Sequence, residues 1–66
     1  MNGTVELLTV TEVAERLRVS RRTVERLMRD RRLRPLKVGR RTLITGRELA
    51  AFVAHQEREG RRSRVA

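Results

Sequence analysis

The chain has 66 residues, with 17 Lys and Arg against 8 Asp and Glu, a formal net charge of +9. A chain this short forms one domain and buries only about 60% of its unfolded surface. It has no cysteine, which excludes a disulfide framework and a thiolate metal site. It also has no apolar run near the roughly 18 residues of a membrane span and no signal-peptide core, so a cytoplasmic protein is expected. Lys37 is the single lysine among the cations, and Phe52 is the single aromatic residue. So basic a surface on so small a domain points to a polyanion, the other reading being a solvated surface or an arginine bias of genome composition. Interfacial membrane helices favour Trp and Phe, and single-stranded nucleic acid needs several stacking aromatics; duplex DNA passes both filters.

Residues 1–6 carry little pattern and are expected to fray. Thr9 followed by Glu12 forms a capping box, with Leu8 placed as a hydrophobic staple. The helix it starts is predicted from about Val10 to Leu17. Val10, Val13, Ala14 and Leu17, at i, i+3, i+4, i+7, form its core stripe, and Glu12, Glu15 and Arg16 face out. Arg18 and Val19 make a turn, with Val19 expected to plug the gap between two helices. Ser20 then caps a second helix, in which Val24, Leu27 and Met28 are the buried face. On a helical wheel Arg22, Arg26 and Arg29 lie opposite that face. Two helices and a short turn within about 20 residues make a helix-turn-helix, whose second helix reads the DNA groove. A helix pair from any small bundle has the same spacing, but its surface would more often mix signs in i,i+4 pairs.

Arg31, Arg32 and Arg34 follow, and Pro35 ends any helical path, with Leu33 turned inward as an anchor. L-K-V-G-R-R-T-L-I, residues 36–44, reads as a two-stranded hairpin with Gly39 and Arg40 at its tip. Such a basic hairpin is either a wing on the DNA backbone or minor groove, or a structural hairpin with solvated charges. Thr45 and Glu48 suggest a second capping box, and a third helix is predicted from about Gly46 to His55 or a little further. Leu49, Phe52 and Val53 are its expected buried face. His55 stands alone near the helix end, as a solvated or dipole-complementing residue. Gly60 is expected to stop any helix. The domain is then expected to span residues 7–56, with a disordered basic tail over 57–66 in which Arg61, Arg62 and Arg64 either meet phosphates or are inert.

The fold class is therefore mainly α with a small β-hairpin, a winged helix-turn-helix. The run L-L-T-V-T-E-V-A-E-R-L-R-V-S-R-R-T-V-E-R-L-M-R-D, followed by L-K-V-G-R-R-T-L-I-T-G-R-E-L-A-A-F, resembles the excisionase-type winged helix-turn-helix domains of phages and mobile elements. These are related to the DNA-binding domains of MerR-like regulators. The similarity covers about Leu7 to Val53. Many of these domains carry a glycine just after the recognition helix, where this chain has Asp30, Arg31 and Arg32. The resemblance implies an architectural function: binding repeated sites in an attachment region, bending the DNA, and steering a site-specific integrase toward excision. It implies that Arg21, Arg22, Thr23, Arg26 and Arg29 face the major groove and that Arg40 and Arg41 sit on the wing; Ser20 and Glu25 on the recognition helix and Lys37 on the wing complete the candidate DNA-binding residues. The expected partners are double-stranded DNA, an integrase and other copies of the chain along the DNA. No cofactor or metal is expected.

Two other functions remain open. A small transcriptional repressor would use the same domain, although a MerR-like regulator normally carries a long dimerising helix and an effector domain after the wing. A protein-interaction module, such as an antitoxin or adaptor, would bind DNA weakly and a protein tightly. Catalysis is not expected, because no carboxylate pair, activated nucleophile or phosphate-cradling glycine loop is present.

Overall fold

The computed structural model describes residues 6–64, with side chains through Gly60. In chain order the elements are β1 (Leu7–Thr9), α1 (Val10–Leu17), α2 (Arg21–Arg29), β2 (Leu36–Val38), β3 (Arg41–Thr45) and α3 (Gly46–Arg64). The expected winged helix-turn-helix architecture is present, with one addition. Leu7–Thr9, read from sequence only as a staple and cap, forms a strand. It pairs antiparallel with β3, so the hairpin becomes a three-stranded sheet of order β1-β3-β2. Three residues are too few for an alternating pattern to show. The strand exists because β3 offers it a free edge, and Leu8 facing Ile44 buries both side chains.

The cap of α1 is complete. The Thr9 hydroxyl accepts from the Glu12 N–H at 3.0 Å, and the Glu12 carboxylate accepts from the Thr9 N–H at 2.9 Å. The cap of α2 is the Ser20 hydroxyl, which accepts from the Thr23 N–H at 3.1 Å. The cap of α3 is only half of the expected box. The Thr45 hydroxyl accepts from the Glu48 N–H at 3.0 Å, but the Glu48 carboxylate turns to the Arg34 N–H, also at 3.0 Å. That bond ties the segment after α2 to the start of α3, and tertiary position, not local spacing, decided it.

The core is Leu8, Val13, Ala14, Val24, Leu33, Ile44 and Leu49, with Val10, Leu17, Leu27, Met28 and Phe52 packed around it. Every element except β2 supplies at least one of the fully buried or flanking residues, and the Leu33 anchor is completely buried. Two expected core positions lie outside it. Val19 is 39% exposed, because the α1–α2 turn is closed by backbone bonds from Arg18 and Val19 to Glu15 and Ala14 instead of by a packed side chain. Val53 is 38% exposed. The line along which α3 meets the body runs through Leu49, Phe52, Gln56 and Glu59, as Arg32 occupies the last part of it.

The largest correction concerns the C-terminal helix. Gly60 does not stop it: α3 runs through Gly60 to Arg64. A stop of that kind needs the glycine in the left-handed region, and among the described residues Gly39 is the glycine with positive φ. A mid-helix glycine costs only about 1 kcal/mol relative to alanine. The Gln, Glu and Arg residues around it are good helix formers. Of the disordered basic tail expected over 57–66, residues 57–64 are thus helical. Glu6, expected to fray, accepts the Gly46 N–H with its carbonyl at 2.9 Å and pairs with Arg16 at 2.8 Å. Residues 1–5 lie outside the described residues.

Candidate nucleic-acid interface

The second helix is built to show cations. Val24 is buried and Leu27 and Met28 are half-buried, so the opposite face points to solvent. Arg22, Arg26 and Arg29 occupy that face and are exposed, and among the described residues no carboxylate pairs with them. Glu25 is the one acid in α2, and its carboxylate lies 3.9 Å from Arg21 across one helical turn. Arg21 is thus held loosely to one side, while the other three guanidiniums are free.

The start of α2 also breaks a local rule. Its first turn holds no acid and two arginines, Arg21 and Arg22. Cations there oppose the positive end of the helix dipole, at about 0.3–1 kcal/mol each. An approaching anion reverses that balance, because exposed N–H groups and guanidiniums then point at the same negative charge. Departures of this type are expected at functional sites. Ser20 and Thr23 sit at the same end, with their hydroxyl oxygens 3.1 Å apart and engaged in the cap.

The wing turns in two residues. Val38 pairs with Arg41 across a tip of Gly39 and Arg40. Gly39 has φ +62° and Arg40 is not in the left-handed region, the II′ arrangement that suits the twist of a hairpin. The three expected wing cations are all exposed but do not share a face. Lys37 pairs with Thr42 and lies on the sheet face of Ile44, whereas Arg41 lies on the other face with Val38. Arg40 sits at the tip between them. The face of Arg41 also carries exposed Leu7, Leu36 and Val38.

Two arginines that composition alone would count toward a polyanion surface are engaged by other parts of the fold. Arg16 pairs with Glu6. Arg32, next to Arg31 and two positions before Arg34 in sequence, lies against α3: it donates to Gln56, meets Glu59 at 3.3 Å and sits 6.0 Å from the centre of the Phe52 ring. His55 Nε2 is 3.1 Å from the same Glu59. The side chains of Arg61, Arg62 and Arg64 lie outside those described.

Two short helices at the α1–α2 turn, an arginine-faced second helix and an adjoining hairpin define a winged helix-turn-helix protein. A family of helix-turn-helix domains matches residues 7–57, and the chain belongs to that family. Membership points to double-stranded DNA as the partner. No curated protein and no solved structure matches the chain significantly. Among the described residues no helix is long and apolar enough to cross a membrane.

Proposed function

We propose that this protein is a sequence-specific architectural DNA-binding protein of the excisionase type, which binds and bends attachment-site DNA cooperatively and directs an integrase toward excision. The observation that carries DNA binding is the solvent face of α2, with Arg22, Arg26 and Arg29 exposed and free of carboxylate partners among the described residues. In this reading α2 enters the major groove with Ser20, Arg21, Arg22, Thr23, Glu25, Arg26 and Arg29 at the contact. Lys37, Arg40 and Arg41 lie on the neighbouring backbone or minor groove. Arg61, Arg62 and Arg64 add phosphate contacts beyond it. Guanidiniums release counterions from phosphates and give affinity without sequence preference. A bidentate pairing of Arg22 or Arg26 with a guanine edge adds about 1–3 kcal/mol of discrimination. Bending a site costs on the order of 1–6 kcal/mol, which wing contacts and adjacent copies offset. The protein performs no chemistry of its own and needs no cofactor. The excisionase role, as distinct from DNA binding, is supported by the sequence resemblance alone.

A gel-shift titration tests it, with DNA flanking the gene and the nearest integrase gene against a random duplex competitor. A ladder of discrete cooperative complexes at an attachment region supports an excisionase. A single complex at a promoter supports a repressor, and the absence of preference over random DNA overturns sequence-specific binding.

A further inference from the structure

The end of α2 is closed by a Schellman arrangement. The Arg32 N–H donates to the Leu27 carbonyl at 2.8 Å, and the Arg31 N–H donates to the Met28 carbonyl at 3.1 Å. The residue between the helix and its exit must adopt the left-handed conformation, a place where glycine is the usual occupant. Here Arg31 occupies it, with φ +63°. A side chain held in a sparsely populated backbone region is a lead to function, since the fold would be more stable without it. Arg18 closes α1 in the same conformation, so strain alone does not single out Arg31. Its surroundings do.

Arg31 borders an open groove of about 690 Å³ lined by Met28, Arg29, Arg31, Leu33, Arg34 and Pro35. The lining holds three guanidiniums and no carboxylate, and among the described residues none of the three is paired with an acid. Arg29 belongs also to the outward face of α2, so the groove continues the cationic row of Arg22, Arg26 and Arg29 past the end of the helix. The segment is held firmly. Leu33 is fully buried, the Arg34 N–H is bound by the Glu48 carboxylate, and Arg32 is fastened to α3. A rigid, electropositive groove beside the proposed recognition face suits the sugar-phosphate backbone of the same duplex, with Met28 and Pro35 offering an apolar wall to the sugars.

We propose that Arg29, Arg31 and Arg34 form a phosphate clamp that grips the duplex backbone beyond the end of the recognition helix, separately from the wing. This inference rests on duplex DNA being the partner proposed above. Arg31 then trades local backbone comfort for a cation at the right place, and Arg32, its neighbour, takes no part.

The test is a fluorescence-anisotropy titration of the full chain against a labelled duplex of random sequence, between about 50 and 200 mM salt, with thermal unfolding of each variant alongside. Arg31→Gly and Arg34→Ala are each expected to lower the salt slope by about 0.9, so that the affinity change across that salt range shrinks by about 3.5-fold. Arg31→Lys keeps the slope, and Arg32→Ala leaves it at the wild-type value. Arg31→Gly also raises Tm by a few degrees, which separates lost contact from lost fold. Slopes for Arg31→Gly and Arg34→Ala equal to wild type, or to that of an equally reduced Arg32→Ala, overturn the clamp while DNA binding stands. Wild-type protein without salt-dependent DNA binding overturns the reading on which the clamp rests.

Discussion

Removing the Arg32 side chain separates a cation that holds the fold from those that face solvent. The perturbation is Arg32→Ala. Its guanidinium lies 6.0 Å from the Phe52 ring centre, a cation–π contact at the outer limit of range, with a value near about 0.5–1 kcal/mol at an exposed site. Its pairing with Glu59 at 3.3 Å is half-exposed and screened, so about 0.2–1 kcal/mol is the appropriate scale. These contacts share one guanidinium and do not add in full, so with the Gln56 hydrogen bond the loss comes to about 1–2 kcal/mol. A 66-residue chain at about 0.05–0.15 kcal/mol per residue has only ~3–10 kcal/mol in total, so the change is a large share. At about 4–8 °C per kcal/mol for a domain of this size, Tm should fall by ~4–16 °C. Circular dichroism of the helical signal reads the melting point, and a salt series of DNA titrations reads the contact number. An unchanged Tm together with a salt slope lower by about one would refute the reasoning and move Arg32 to the DNA. A double-mutant cycle with Glu59→Ala would then show no coupling, where the structure requires some.

Four further outcomes follow from the same geometry. Arg26→Ala should weaken specific binding by about 1–3 kcal/mol more than binding to random duplex in gel shifts; equal losses would make Arg26 a phosphate contact only. Replacing Arg40 and Arg41 together with Ala should lower the salt slope by about 1–2 while leaving Tm nearly unchanged, and a constant slope would leave the hairpin a purely structural element. Leu33→Ala removes a fully buried anchor and should cost about 2–5 kcal/mol, enough to leave much of the protein unfolded at room temperature by circular dichroism. Gly39→Ala meets no neighbouring atom within 4 Å, so its effect is the backbone penalty of a side chain at φ +62°. That penalty is about 1–2 kcal/mol, visible as a lower urea midpoint.

The legible parts of this protein are those written in local spacing. The capping box of Thr9 and Glu12, the i, i+3, i+4 stripe from Val10 to Leu17, the Ser20 cap and the opposed faces of Val24 and Arg26 are each settled within one or two helical turns. The Gly39 tip of the hairpin is equally local, because a two-residue turn needs a left-handed first position. These features were enough to anticipate helix, turn, helix, hairpin and helix, and the face that carries the cations.

Long-range competition settled the rest. Leu7–Thr9 is a strand because β3 has a free edge beside it, a fact about residues some 35 positions away. Glu48 leaves its own cap for the Arg34 N–H, a donor 14 positions away that folding brings to 3.0 Å from its carboxylate. Arg31, Arg32 and Arg34 look alike in sequence. Yet one stands in a left-handed helix exit, one is fastened to α3 and one borders an open groove. Charge and helical periodicity, carried by the sequence itself, therefore determined the class of protein and the face it presents. Only tertiary packing decided which cations serve the fold and which remain free for a polyanion: it places Glu59 and Phe52 beside Arg32 and, among the described residues, pairs no carboxylate with Arg22, Arg26 or Arg29.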